Sequence, residues 1–397
     1  MFQPNFLPYA KQSITSEDIE AVVNILKADV ITRGPTVETF EQAIAAFCDA
    51  KFGVAFSSGS AALYAACHAV KVGPFDRLIT TPNTFIATSG AGMQYCATPI
   101  FIDIDRNTGN LDLEQLSYNL DYPSTRGKNV VVPVHFSGIP VDMEKIAQMI
   151  KETNTVVIED AAHALGSRYS NGKKVGCCEN SDMTIFSFHP AKHITTGEGG
   201  MVTTNDEELC HRLKRYRNNG IEKCSPYLKQ QEAAIGYYEV QEITGNFNFT
   251  DIQAALGLSQ LKRLDQMVAR RRELVQGYRE RLQGMVGIHL FTDAYDAITA
   301  FHLFVAQIDF SRFGVSRTET MAKLAENGIG TQVHYIPLYR HPIISNKSGD
   351  LSEFFPQMEA YYAEALSLPL YYGLSLTDVD RVVETLKKVI RYPYISL

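Results

Sequence analysis

Lys192 follows residues 184–188, an apolar, β-favouring run that breaks at His189-Pro190. Thr195, Thr196 and three glycines (Gly197, Gly199, Gly200) come next, before a second strand pattern at residues 201–204. A lysine at such a place is either an ordinary surface residue or an amine held at a strand edge in a partly dry pocket. In the pocket, loss of hydration lowers its pKa and makes it nucleophilic. Glu159-Asp160 ends an earlier apolar run with two carboxylates. A buried carboxylate needs a partner. A protonated ring nitrogen is one, and a cap on the following turn is another. Phe85, directly after Pro82-Asn83-Thr84, could stack on a flat heterocycle or fill the core. Ser57-Ser58-Gly59-Ser60-Ala61 offers hydroxyls and free N–H groups where a helix begins. Such a turn binds phosphate, or simply caps the helix.

The surrounding patterns say what positions these residues. Apolar runs at residues 52–56, 78–81, 99–104, 130–134, 155–158, 183–188 and 201–204 alternate with helical spacing. Short, continuously apolar strands belong to a sheet covered on both faces, and the alternation predicts an α/β fold with a mostly parallel sheet. Ligands in such sheets gather at the carboxyl ends of the strands. The serine turn, Thr84-Phe85, Asp160 and residues 187–192 all fall at predicted strand ends.

Ahead of the sheet, Thr15-Ser16-Glu17-Asp18 reads as a capping box opening an amphipathic helix, and Thr32-Arg33-Gly34-Pro35 separates it from a second. Behind the sheet, residues 206–217 read as a basic surface helix and residues 220–245 as a loop. One long helix is expected from Thr250, with Arg270-Arg271-Arg272 on a solvated face. A smaller strand–helix alternation follows. It places strands at 301–308 and 329–333, a helix at 318–327 closed by Gly328, and helices at 353–365 and 378–390. The expected organisation is an N-terminal arm and large domain over residues 1–250, a linking helix over 251–283, and a small α+β domain over 284–397.

Composition narrows the function. The chain has 397 residues and a formal net charge of −7, which argues against nucleic-acid binding, whose footprint is a basic face. Seven cysteines, odd in number, irregular in spacing and without a C-x-x-C pair, argue against a metal site. No stretch approaches the roughly 18 apolar residues of a membrane span. Residues 1–5 show no signal-peptide features, and a cytoplasmic location is expected.

A phosphate turn, an aromatic plate, a carboxylate for a ring nitrogen and a lysine for an imine are together what a protein supplies to pyridoxal 5′-phosphate. The order of these segments resembles the DegT/DnrJ/EryC1/StrS family of sugar aminotransferases, of the aspartate aminotransferase fold (fold type I). The likeness covers nearly the whole chain. It is carried by Thr32-Arg33-Gly34-Pro35, Ser58-Gly59-Ser60-Ala61, Pro82-Asn83-Thr84-Phe85, Glu159-Asp160-Ala161-Ala162-His163, Ser187-Phe188-His189-Pro190-Ala191-Lys192, Thr195-Thr196-Gly197-Glu198-Gly199-Gly200 and Gly245-Asn246-Phe247. A narrower likeness, to the transaminases of pseudaminic acid biosynthesis, rests on Phe186-Ser187-Phe188-His189, Ile194-Thr195-Thr196, Leu256-Gly257-Leu258-Ser259 and Gln332-Val333-His334-Tyr335.

The resemblance implies a large domain with a mostly parallel seven-stranded sheet and a small C-terminal α+β domain. It implies ping-pong amination at C4 of a UDP-linked 4-keto-6-deoxy-N-acetyl-sugar, with L-glutamate as donor. Lys192 would be the Schiff-base lysine and Asp160 the partner of the pyridine nitrogen. His163 would lie near the ring substituents, Phe85 would stack on the ring, and Ser60, Ala61 and Ser187 would hold the phosphate. Asn246 would reach the phosphate of a neighbouring subunit, making the active unit a homodimer. The family usually carries arginine two residues after that asparagine, where this chain has Asn248. Arg33, His334 and Tyr335 are candidate substrate contacts. Other readings are a dTDP-linked or 3-keto sugar, a sugar 3-dehydratase (which carries histidine in place of the lysine) and a regulator without catalysis.

Overall fold

The computed structural model describes residues 5–121, 126–230 and 235–392; Met1–Pro4, read above for a targeting signal, lie outside them. Seven strands form the central sheet: β1 (Phe52–Phe56), β2 (Arg77–Thr80), β3 (Thr98–Phe101), β4 (Asn129–Val131), β5 (Thr155–Asp160), β6 (Met183–Ser187) and β7 (Gly200–Thr204). Their order is β1-β7-β6-β5-β4-β2-β3. Only β7 runs against the rest, pairing antiparallel with both β1 and β6. The fold is therefore the expected α/β architecture with a seven-stranded, mostly parallel sheet.

Its two faces are both buried, as the uninterrupted apolar strands require. Val54, Val130, Ile158, Ile185 and Val202 pack on one side under the helices Gly59–Ala69 and Ile86–Met93. Ile79, Val131 and Val157 pack on the other with Ile146 of the helix Met143–Ile150. The first helix, Ser16–Leu26, begins at the expected capping box, in which Thr15 and Asp18 exchange hydrogen bonds.

Residues 220–245 differ from the expected loop. β8 (Ile221–Glu222) pairs with β9 (Glu239–Val240). The hairpin is anchored by Arg215, whose guanidinium meets Glu242 at 2.8 Å. Its residues 231–234 are outside the described set.

The single long helix expected from Thr250 is two, Asp251–Leu261 and Leu264–Leu282, because Arg263 leaves helical geometry at φ −107° and ψ 3°. Its guanidinium and the Gln260 amide both turn to the Asp18 carboxylate on the first helix, at 2.7 and 2.6 Å. The break sits where the chain crosses that helix.

The arginine run is likewise not a solvated face. Arg271 is buried at 3% exposure. Its Nη1 donates to the carbonyls of Phe301, His302 and Leu370 at 3.2, 3.3 and 3.1 Å, and Arg272 Nε donates to Thr299 at 2.8 Å. Those carbonyls lie outside any ladder, and buried backbone acceptors must be satisfied.

The C-terminal part contains an antiparallel sheet of β10 (Ile288–Leu290), β11 (Phe304–Ile308) and β12 (Ala365–Leu368). Its core joins Leu274, Tyr278, Phe304, Leu324, Val382 and Leu386. The strand expected at 329–333 is absent. Ile329 bridges to Leu7 of the N-terminal arm, and Gln332 bridges to Ser367. Gly328 breaks the run before it at φ +76°. β12, unanticipated, takes the end of the expected helix 353–365, which spans only Pro356–Glu364.

Candidate active site

The carboxyl ends of β5 and β6 open on a cavity of about 840 Å³. Ser60, Phe85, Asp160, His163, Ser187, Lys192, His334 and Tyr335 all line it. Three expected site residues do not: Ala61, Asn246 and Arg33.

The strand pleat sorts the two carboxylates at the end of β5, because successive side chains point to opposite faces. Asp160 faces the cavity. Its Oδ2 accepts a 2.7 Å hydrogen bond from Thr88 Oγ1, and its Oδ1 accepts from the Ala162 N–H at 3.1 Å. Thr84 Oγ1 continues the chain 2.8 Å from Thr88 Oγ1. No ammonium or guanidinium among the described residues lies within ion-pair distance of Asp160.

Glu159 turns the other way into the protein. His135 Nε2 lies 2.7 Å from it, and the hydroxyls of Tyr169, Ser181 and Thr184 also reach it. Burial alone would raise its pKa. The hydrogen bonds from His135, Ser181 and Tyr169 outweigh that and hold it below the ordinary carboxylate value.

Lys192 sits in the return between β6 and β7. The turn is tied by Phe188 N–H to Gly199 O at 2.8 Å and Thr196 N–H to Phe188 O at 3.1 Å. Gly197 supplies the left-handed corner at φ +79°. Gly200 allows the strand to press on the serine turn, where a Cβ would lie 2.4 Å from Ser58 O. Removal from water pulls the Lys192 amine down to about 8, with the Asp160 charge opposing the fall. The only hydrogen bond to that amine among the described residues comes from His302, whose Nε2 is 3.3 Å from Nζ.

Ser58 is the N-cap of the helix Gly59–Ala69. Its Oγ accepts the Ala61 N–H at 3.1 Å, so that amide is already engaged and the Ala61 side chain is buried. The amides of Gly59 and Ser60 stand at the first two helical positions, which have no intrahelical partner. These two, with the Ser60 and Ser187 hydroxyls, make the anion-favouring corner.

Phe85 is 58% exposed and faces the cavity, not the core. His163 Nδ1 accepts the Ser137 N–H at 3.3 Å. That assigns the ring proton to Nε2, which meets the Tyr335 hydroxyl at 3.1 Å. His334 Nδ1 lies 2.8 Å from Ser367 Oγ, and burial brings His334 down to about 3.

Arg33 and Asn246 are instead surface neighbours. Arg33 Nη1 reaches Asn218 Oδ1 at 3.4 Å, and Asn248 Nδ2 bridges Asn218 and Asn246 at 3.1 and 2.7 Å. Neither touches the cavity of its own chain.

The motif reading missed His302, Tyr9, Ile336 and Ile343, and quoted Gln332 without assigning it to the site; all five line the cavity. Nothing local marks the first four. Thr88 was within reach of it, one helical turn beyond Thr84.

A model of the DegT/DnrJ/EryC1/StrS aminotransferase family matches residues 12–387. This chain belongs to that family. Over 388 residues it is 39% identical to the spore coat polysaccharide biosynthesis protein SpsC of Bacillus subtilis (strain 168), covering 98% of each chain. Among solved structures it resembles Helicobacter pylori PseC, an aminotransferase involved in the biosynthesis of pseudoaminic acid. The TM-score is 0.87 at 28% identity, over 97% of this chain and 99% of that one. It also resembles Spr1654 of Streptococcus pneumoniae, described as a sugar aminotransferase and solved in its PMP form. There the TM-score is 0.86 at 29% identity, again over 97% and 99%.

The cofactor of this family member is pyridoxal 5′-phosphate, and the cavity suits it. A depressed amine, a buried carboxylate without a cation, and free amides beside two serines all open on one space. No helix among the described residues is long and apolar enough to cross a membrane.

Proposed function

We propose that this chain aminates C4 of a UDP-linked 4-keto-6-deoxy-N-acetyl-hexose, with L-glutamate as amino donor, as a step in pseudaminic acid or surface-glycan synthesis. The observation that carries the reading is the meeting of Lys192 and Asp160 on one cavity beside the Gly59–Ser60 amides. When bound, pyridoxal 5′-phosphate supplies an electron-poor ring that takes up the charge left when the donor Cα loses its proton.

In this reading the residues divide the work. Lys192 would carry the cofactor and, once freed as an amine, would move a proton between the donor Cα and C4′ of the cofactor. An amine titrating near 8 suits both directions of that transfer. Asp160, oriented by Thr88, keeps the ring nitrogen protonated. Phe85 covers one ring face. Ser60 and Ser187 hold the phosphate, with the Gly59 and Ser60 amides in the place expected of Ala61. His163 and Tyr335 flank the ring substituents.

The Arg33–Asn246 cluster, which does not line its own cavity, is assigned to the cavity of a second copy. The active unit is then a homodimer with shared sites. His334 and Tyr335 remain candidate sugar contacts.

A second reading, a keto-sugar of different nucleotide or regiochemistry, is favoured by one observation. The identity to the spore coat polysaccharide protein, 39%, exceeds the 28% shared with PseC. A half-reaction screen separates the two. The enzyme is loaded with the amino form of the cofactor, UDP- and dTDP-linked 3- and 4-keto-sugars are added, and recovery of the absorption of the lysine-bound cofactor is followed. Recovery with the UDP-4-keto-N-acetyl sugar alone supports the first reading. Recovery with another sugar only moves the assignment to the second.

A further inference from the structure

We propose that His302 is a positioning residue for Lys192, a neutral imidazole that holds the amine at the cavity wall whenever it is not bonded to the cofactor. The inference rests on Lys192 being the cofactor-bearing lysine.

His302 is 3% exposed and lies 110 residues from Lys192 along the chain, with Nε2 3.3 Å from Nζ. Its main chain is clamped from two sides. The His302 N–H donates to Ser137 O at 2.8 Å, and its carbonyl accepts from Arg271 at 3.3 Å. The flanking residues are stapled to the same turns. Ala300 N–H donates to Ser167 Oγ at 2.9 Å, and Ser137 Oγ donates to Leu303 O at 2.7 Å. The ring packs on His163 with centroids 4.3 Å apart. A ring so held cannot follow the lysine; the lysine must come to it.

The chemistry of the pair suits a lysine that alternates between bonded and free. The groups facing His302 are Lys192, His163, His193 and Arg271, all basic. Burial, the largest effect, and these neighbours push its pKa well below the ordinary histidine value. The ring therefore stays neutral. From Nε2 a neutral imidazole accepts from an ammonium or donates to a free amine, according to tautomer. Among the described residues His302 Nδ1 has no partner, so no other bond there locks the tautomer. A carboxylate at this position would instead hold the amine protonated. Lys192 is faced by Asp160 across the cavity, and four rotatable side-chain bonds would otherwise let its amine wander.

The test uses the apoenzyme and the holoenzyme of wild type, His302→Phe and His302→Gln. In the apoenzyme, the rate at which a small activated ester acylates Lys192 is followed against pH by peptide mass spectrometry. Removing an acceptor from a charged donor should lower the midpoint of that profile by about one unit in His302→Phe. His302→Gln, which keeps an acceptor oxygen, should restore it. In the holoenzyme, kcat should fall about tenfold in His302→Phe with the KM of both substrates unchanged.

An unshifted midpoint and unchanged kcat in folded His302→Phe overturn the proposal. Should that variant not fold, imidazole 15N NMR of the wild-type apoenzyme decides. One buried ring must change shift as Lys192 titrates, and lose that response in Lys192→Ala. Absence of such a ring overturns the proposal. Failure of the underlying reading looks different: borohydride reduction of wild-type holoenzyme would leave Lys192 unlabelled.

Discussion

Thr88 Oγ1 donates to Asp160 Oδ2 at 2.7 Å, from the first turn of the helix Ile86–Met93 onto the end of a strand 72 residues later. The contact sets which lone pairs of the carboxylate remain for the cavity. Hydrogen bonds to charged groups contribute about 1.5–3 kcal/mol. Thr88→Val should therefore weaken cofactor binding by about 10–100-fold, and Thr88→Ser should restore most of it. Equilibrium dialysis of the cofactor against each variant checks this.

Lys192→Ala should leave a folded protein with no visible absorption from lysine-bound cofactor and no transamination. Loss of both the covalent anchor and the proton carrier is expected to cost at least ~10²–10⁴-fold in turnover. Stopped-flow with glutamate and the keto-sugar measures it; turnover comparable to wild type would remove Lys192 from the mechanism.

The two carboxylates at the end of β5 should part company on mutation. Asp160→Asn should abolish activity with little change in stability. Glu159→Ala should leave His135 and three hydroxyls facing an empty site and destabilise by about 3–5 kcal/mol. Urea denaturation of both variants, with activity measured alongside, is the check; equal stability losses would contradict the assignment of roles.

The depressed Lys192 pKa carries a stability signature in the apoenzyme. Below about 8 the amine is protonated in both folded and unfolded chains, and the folded state bears the full cost of the dry charge. Between about 8 and the ordinary value of 10.5 the unfolded chain still holds a proton that the folded one has released. Stability relative to Lys192→Met therefore rises with pH across that window, by at most about 3 kcal/mol. Unfolding free energies of the two apoproteins at several pH values test the sign.

Arg271→Met should destabilise the protein by about 3 kcal/mol, since three buried carbonyls lose their donor. It should also loosen His302 and lower kcat. A denaturant midpoint equal to wild type would show those carbonyls to be satisfied otherwise.

Much of the sheet was legible because its signals are local. An apolar run five residues long, bounded by turn residues, needs no partner to be read as a strand, and strand ends are where α/β folds place ligands. Lys192, Asp160, Phe85 and the serine turn were found that way, and the structure brings them to one cavity. Two local readings failed for the same reason. Arg263 and Arg271 are unremarkable in a helical sequence, and their partners, Asp18 and the carbonyls of residues 301, 302 and 370, come from distant segments.

The sequence alone determined the α/β class, the seven strands of the central sheet, and a set of residues whose combined chemistry points to pyridoxal 5′-phosphate. Each of these follows from side-chain periodicity and residue type within a few turns of chain. Tertiary structure alone decided that Gly59 and Ser60, with Ala61 already capped, offer the free amides. It also decided that Arg33 and Asn246 stand away from their own cavity, and that a histidine from the C-terminal part reaches Lys192. The last of these depends on hydrogen bonds that tie residues 300–303 to the turns at Ser137 and Ser167, each with a main-chain group on at least one side. Main-chain groups are the same in every residue, so no pattern of side chains announces where they will meet.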